Sequence, residues 1–203
     1  MNAVTFYFDF GSPNAYLCHR VIPAIEQRTG ARFSYVPILL GGLFKLTGNQ
    51  SPMTAFGGIK NKPQYEMLEM ERFLVRHSIV DFRINPYFPI NTLNLMRGAI
   101  AADELGLAPA YIDCIYDGMW VRGLDLGQPA VVADVLLSAG LPAARLFELA
   151  QSPAIKQRLL DNTQAAFEMG AFGSPSFVVN GALFFGKDRL REVEEEIERS
   201  RSV

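Results

Sequence analysis

Only two cysteines, two histidines and one tryptophan occur among the 203 residues, and positive and negative side chains nearly balance. Each shortage closes off a class of function. Cys18 and Cys114 lie far apart, each inside an apolar helical pattern, which predicts buried free thiols and no disulfide. Neither forms a Cys-x-x-Cys pair, so dithiol exchange, which needs an attacking thiolate and a resolving thiol, has no equipment here. No Cys, His and carboxylate group shows metal-ligand spacing, and Asp81, Asp103 and Asp113 read as surface positions; no metal is expected. Ser12, His19 and Asp9 supply the residue types of a hydrolase triad. The Gly-x-Ser-x-Gly elbow is absent, however, and His19 falls several residues past the turn that carries Ser12, which argues against that chemistry. His77 is explained by a helix C-terminus, where a cation is favoured. With 19 Lys and Arg against 21 Asp and Glu, the formal charge of −2 offers no basic field for nucleic acid. No apolar run approaches the ~20 residues of a membrane span, and the start of the chain lacks a charged segment followed by an apolar one. A cytoplasmic protein is expected.

What the chain does have is aromatic residues and two informative turns. Residues 4–10 include Phe6-Tyr7-Phe8-Asp9-Phe10 and predict a strand; Gly11-Ser12-Pro13 interrupts it before a helical pattern opens at Asn14 or Ala15. Tyr16, Leu17, Val21, Ile22 and Ile25 keep helical spacing up to Gly30, a helix stop. A strand running straight into a helix leaves the first helical N–H groups unpaired and the positive end of the macrodipole exposed, so an anion beside Ser12 would be stabilised. Ser12 therefore has two readings: an ordinary N-cap, or a hydroxyl that donates to a thiolate arriving on a ligand.

Residues 33–37 read as a second strand, parallel to the first across the helix. From Ile38 onward Gly41, Gly42, Gly48, Gly57 and Gly58, with Pro52 and Pro63, predict an irregular connection of some twenty-five residues. Helices follow at about 63–77, 91–105, 109–121, 128–139 and 142–149, with a short extended piece at 82–84; Pro109, Pro129 and Pro142 sit near helix starts, where a missing N–H costs nothing. Ser152-Pro153 opens another helix that stops at Gly170. Asn180-Gly181 between apolar pairs predicts a hairpin of 177–179 and 183–185, and a final helix spans 188–200 with Leu190, Val193 and Ile197 on one face.

The turn at Ser12 and the Gly173-Ser174-Pro175 loop before the hairpin together resemble the thioredoxin-like fold, with Ser12-Pro13-Asn14-Ala15 where redox members carry Cys-x-x-Cys. The expected class is α/β, a thioredoxin-like domain of residues 1–42 and 151–203 with a large all-helical insertion at 43–150. A cis Ser174–Pro175 bond is expected, presenting the Ser174 backbone to a passing peptide as an antiparallel partner.

More specifically, Phe8-Asp9-Phe10-Gly11-Ser12-Pro13, Gly48-Asn49, the set Lys62, Tyr65, Glu69 and Arg72, Phe88-Pro89 with Asn91-Thr92, Gly170 to Pro175, and Phe185-Gly186 with Asp188-Arg189 resemble the 2-hydroxychromene-2-carboxylate isomerases, relatives of the kappa-class glutathione transferases. The likeness covers essentially the whole chain. It implies glutathione as cofactor, held as thiolate by Ser12. It further implies that the backbone of Ser174 before Pro175 pairs with the cysteinyl unit, that Asp188 accepts the γ-glutamyl ammonium, and that Asn49 and Lys62 approach the tripeptide or the substrate carboxylate. Lys187 stands where the family commonly has Ser, and Glu69 where it usually has Asp; a backbone contact at 187 survives the change and a hydroxyl contact does not. The implied reaction is reversible thiolate addition to the double bond of an aromatic 2-oxo acid, converting 2-hydroxychromene-2-carboxylate to trans-o-hydroxybenzylidenepyruvate in aromatic catabolism, by a homodimer. Tyr65, Phe88 and Trp120 are candidate pocket walls, each with an ordinary reading as core. Two other readings stand beside this one: a kappa-like transferase that releases its adduct, and a non-catalytic thiol- or peptide-binding relative of the disulfide oxidoreductases.

Overall fold

The computed structural model describes residues 3–199. Strand β1 (Ala3–Phe8) leads through the Ser12 turn into α1 (Pro13–Thr29), and β2 (Arg32–Pro37) returns parallel to β1, with Ala3 opposite Arg32 and Phe8 opposite Pro37. Eight helices follow before the sheet resumes, the first seven being α2 (Leu40–Thr47), α3 (Pro52–Phe56), α4 (Lys62–Arg76), α5 (Leu93–Glu104), α6 (Ala108–Trp120), α7 (Pro129–Ser138) and α8 (Ala143–Ala150). Helix α9 (Pro153–Glu168) then leads to the hairpin β3 (Ser176–Val179) and β4 (Ala182–Phe185), a tight helical turn at Lys187–Arg189, and α10 (Leu190–Arg199). The strand order is β2-β1-β3-β4, with β3 antiparallel to β1 and to β4.

Alternation along β1 sorts its side chains to two faces. Val4, Phe6 and Phe8 enter the main core with Phe177, Val179 and the buried residues of α1, α5, α6 and α10, whereas Tyr7 joins Ile38, Leu43, Ala166 and Ala171 on the other face, under α2 and α9. The main core is aromatic: Phe6 stacks on Phe177 at 5.0 Å and Phe10 meets Tyr116 edge-on at 4.8 Å. One continuous cluster thus joins the sheet to helices α5 to α8, and no strand occurs among residues 43–150.

The segment expected to be an irregular connection differs: it contains α2 and α3. Its glycines sit where a helix tolerates or requires them. Gly48 closes α2 in the left-handed region at φ 67°, and Gly42 lies where a Cβ would already touch Thr163 on α9 at 3.5 Å. Ser51 caps α3 through Thr54 N–H with Pro52 behind it. The extended piece at 82–84 forms no strand, and the last helix begins two residues later than expected because Lys187–Arg189 closes a tighter turn. Ser200, its expected end, lies outside the described residues.

Candidate functional site

Ser12 ends the first strand-to-helix turn in extended conformation (φ −97°, ψ 111°), and its Oγ accepts from Ala15 N–H at 3.2 Å. The same hydroxyl donates to the Ser174 carbonyl at 2.9 Å, although the two residues are 162 apart in sequence. No acidic residue occupies the first turn of α1, so its positive end is not neutralised by its own side chains.

Asp9 is the hub of this turn. One carboxylate oxygen accepts from Gly11 N–H at 2.8 Å and the other from Leu40 N–H at 2.8 Å, while Asp9 N–H donates to Ser174 Oγ at 3.2 Å and its carbonyl accepts from Ser12 N–H at 3.0 Å. The residue is buried, and burial raises its carboxyl above the ordinary range despite hydrogen bonds from Leu40, Gly11 and Thr92 that pull it down. Sequence reading weighed Asp9 only as a triad member; its work here is to lock the turn against the Pro loop and the start of α2. The one signal of that role is a lone carboxylate in an aromatic strand.

Across from Ser12, the Ser174–Pro175 bond is cis, as expected, and a second cis bond, Phe88–Pro89, was not anticipated. A Cβ on Gly173 would stand 2.7 Å from the Phe185 ring, so any larger residue there would require that ring on β4 to shift. Asn49 reaches the same loop, donating from Nδ2 to the Phe172 carbonyl at 2.8 Å. Gly186 N–H donates to the Pro175 carbonyl at 3.0 Å, which brings the Lys187–Asp188 turn to this end of the sheet. Lys187 is buried, its Nζ 2.6 Å from Asp188 Oδ1, and the Asp188 side chain is 65% exposed.

The remaining residues singled out in the sequence are more dispersed. Lys62 opens α4, pairs with Glu66 at 2.6 Å and lies over the Phe56 ring at 4.7 Å. Tyr65 is exposed on the same helix and hydrogen-bonds Glu69, which also pairs with Arg72. Phe88 packs on Trp120 at 5.7 Å between ring centres. Trp120 has no exposed surface, and its Nε1 donates to the Phe10 carbonyl at 2.9 Å, so it braces the turn from beneath and lines no open pocket. Two exposed rings quoted within the motifs but given no role there, Phe172 and Phe185, meet at 4.4 Å beside the Pro loop.

Both cysteines are free thiols. Cys18 is fully buried, and burial pushes its thiol well up; Cys114 is pushed up to about 11 for the same reason. Neither supplies a thiolate near neutral pH. A nucleophilic sulfur at Ser12 has to arrive on a ligand.

Residues 3–198 match the family model described as DSBA-like thioredoxin domain. The chain is 28% identical over 187 residues to 2-hydroxychromene-2-carboxylate isomerase of Sphingobium xenophagum, covering 92% of this chain and 93% of that one. It is 26% identical over 205 residues to human glutathione S-transferase kappa 1, covering 92% and 87%. Among solved structures it resembles a 2-hydroxychromene-2-carboxylate isomerase with TM-score 0.81 and 25% identity over 97% of this chain and 95% of that chain. Pseudomonas aeruginosa DsbA, at TM-score 0.60 and 16% identity over 99% and 84%, shares the fold. The chain belongs to the DSBA-like thioredoxin domain family, in a form whose first turn carries Ser12 and no redox cysteine.

Proposed function

We propose that this protein is a glutathione-dependent isomerase of an aromatic 2-oxo acid, with 2-hydroxychromene-2-carboxylate as the substrate to test first. The observation that carries the reading is the Ser12 hydroxyl held at the positive end of α1 and against the Ser174 carbonyl, with no protein thiolate available. The residues at this end of the sheet fit a thiol tripeptide: a hydroxyl for the sulfur, the Ser174–Pro175 backbone for the middle unit, and the exposed Asp188 carboxylate for an ammonium. Glutathione held there would supply a thiolate nucleophile for reversible addition to a conjugated double bond.

The chain's part is to make that thiolate and hold the acid near it. Rotation about the Cβ–Oγ bond of Ser12 turns its proton from the Ser174 carbonyl toward the sulfur, while the α1 N-terminus lowers the cost of the negative charge. Asn49, fixed on the Pro loop, and Lys62, at the start of α4, serve the tripeptide or the substrate carboxylate. A homodimer belongs to the same reading: Met53, Phe56, Ile59, Tyr65, Met67 and Leu68 leave apolar area exposed on and between α3 and α4, which a second copy would cover.

Assay of the chromene acid with catalytic glutathione tests the reading. Turnover without thiol consumption is the expected result. Stoichiometric loss of thiol into an adduct identifies a kappa-like transferase instead, the alternative favoured by the likeness to glutathione S-transferase kappa 1. Glutathione uptake with no thiolate absorbance near neutral pH leaves only a binding protein. Sedimentation at micromolar concentration checks the dimer; a monomer there removes that part.

A further inference from the structure

Phe10 lies just before the Ser12 turn and past the end of the sheet. Strand β1 ends at Phe8, whose carbonyl accepts from Ile38 N–H at 3.0 Å as β2 departs, and the register of β3 on β1 stops where Tyr7 faces Ser176. Neither neighbouring strand is left to pair the Phe10 backbone. Phe10 has no exposed surface, so an unpaired N–H or C=O at this place would be costly. Two side chains from the helical segment meet that need. Met96 Sδ on α5 accepts from Phe10 N–H at 3.4 Å, and Trp120 Nε1 on α6 donates to the Phe10 carbonyl at 2.9 Å. Both side chains are fully buried. The thioether, a weak acceptor, is the only one that Phe10 N–H has among the described residues.

The sulfur acts on Ser12 through one peptide plane. Phe10 N–H and the Asp9 carbonyl belong to the same planar trans unit and point in opposite directions. Met96 takes the N–H on one side, and Ser12 N–H donates to the carbonyl on the other at 3.0 Å. A tilt of that plane therefore moves the Ser12 backbone and its hydroxyl. The surroundings leave the turn little other freedom: Asp9 N–H donates to Ser174 Oγ at 3.2 Å, and a Cβ on Gly11 would stand 3.3 Å from the Thr92 methyl. We infer that Met96 is a positioning residue, whose thioether fixes the Asp9–Phe10 peptide and through it aims the Ser12 hydroxyl at the sulfur of a ligand. This rests on the glutathione reading above and goes beyond it, because it gives α5, which carries none of the groups proposed to hold the tripeptide, a share in activating the thiol. Leucine would fill nearly the same space and leave Phe10 N–H without an acceptor in an apolar core. The plane would then turn to find one.

Met96→Leu tests this, with Met119→Leu as its match. Met119 is equally buried, but the Asn85 amide that lies 3.6 Å from its sulfur also donates to the Met119 and Leu124 carbonyls, so leucine there strands no donor. The deciding readout is the pH midpoint of the thiolate absorbance of bound glutathione, accompanied by kcat and the glutathione KM in the chromene acid assay. In Met96→Leu the midpoint should rise by about one pH unit and kcat should fall about 10-fold, with KM changed by less than about 2-fold. KM is spared because the Pro loop and Asp188, which hold the tripeptide in this reading, are untouched. Met119→Leu should keep the natural midpoint and kcat. Two results overturn the inference: a natural midpoint in Met96→Leu, or the same rise in Met119→Leu, which would make it an effect of core packing. Hydrogen exchange of the natural chain covers the case of a variant that does not fold: the Phe10 amide should exchange as slowly as the paired amides of β1, and fast exchange overturns the inference. Failure of the natural chain to bind glutathione as thiolate removes the glutathione reading and the role of Met96 together. A thiolate that forms there and titrates unchanged in Met96→Leu removes only the latter.

Discussion

Ser12 carries two duties in one hydroxyl, which sets what its loss should do. Its Oγ caps α1 at Ala15 and ties the turn to Ser174, so Ser12→Ala should cost about 1 to 2 kcal/mol of stability in urea titration, more than an exposed serine would. Turnover of the chromene acid should fall about 100-fold or more, the cost of removing one donor to a developing charge. Full activity in Ser12→Ala would remove the hydroxyl from the mechanism. At Asp9 the prediction concerns pH. Its carboxyl is raised in the fold by burial, so the protonated form is favoured there and adds stability that is complete below the ordinary carboxylate pKa of about 4 and is lost as pH rises through the higher folded value. Asp9→Asn does not titrate and offers one acceptor to the two N–H groups of Gly11 and Leu40, so it should be less stable by about 1 to 3 kcal/mol at low pH. That gap should narrow toward neutral pH. Urea midpoints of both proteins across that interval check the sign, and a gap that widens with pH would mean that the ionised carboxylate is the form the fold prefers.

At the scale of elements, the helix pair α5 and α6 depends on a residue without a side chain. A Cβ on Gly98 would overlap the Tyr111 ring and hydroxyl, and that hydroxyl donates to the Leu95 carbonyl at 3.1 Å. Gly98→Ala should therefore destabilise by about 1 to 3 kcal/mol or more, read as a lower thermal midpoint, although alanine is the better helix former. Helices with a strong apolar face and a stop signal were legible in the sequence: α1 ends at Gly30 in the left-handed region, and α9 starts at a Ser152 cap with Pro153 behind it. Helix α2 was not legible. Leu40-Gly41-Gly42 reads as a loop by propensity, and the segment becomes helical because Leu43 is buried in the cluster beneath α9 and Leu39 N–H finds Thr163 Oγ1 at 2.9 Å. The Ser51-Pro52 cap of α3 was a legible signal that the surrounding glycines obscured.

For the molecule as a whole, a ligand that binds only the folded chain must stabilise it. Glutathione at about 100 times its dissociation constant should add about 2.7 kcal/mol, a rise in thermal midpoint of about 5 to 10 °C for a chain of this size. No rise at saturating glutathione would contradict the proposed cofactor. The sequence by itself determined the two turns, the class of fold and the absence of a redox pair, because a strand-to-helix junction, an Asn-Gly hairpin and the places of cysteines are local facts. Tertiary structure alone decided which distant groups meet: Ser12 with the Ser174 carbonyl, Asp9 with Leu40, Trp120 with the Phe10 carbonyl, and Lys187 with Phe73. These contacts join segments separated by 31 to 162 residues, so their hydrogen bonds and burial exist only once the sheet and the helices have closed on each other. That is why Trp120, a candidate wall in the sequence, is a buried brace in the fold, and why Asp9 holds the turn together.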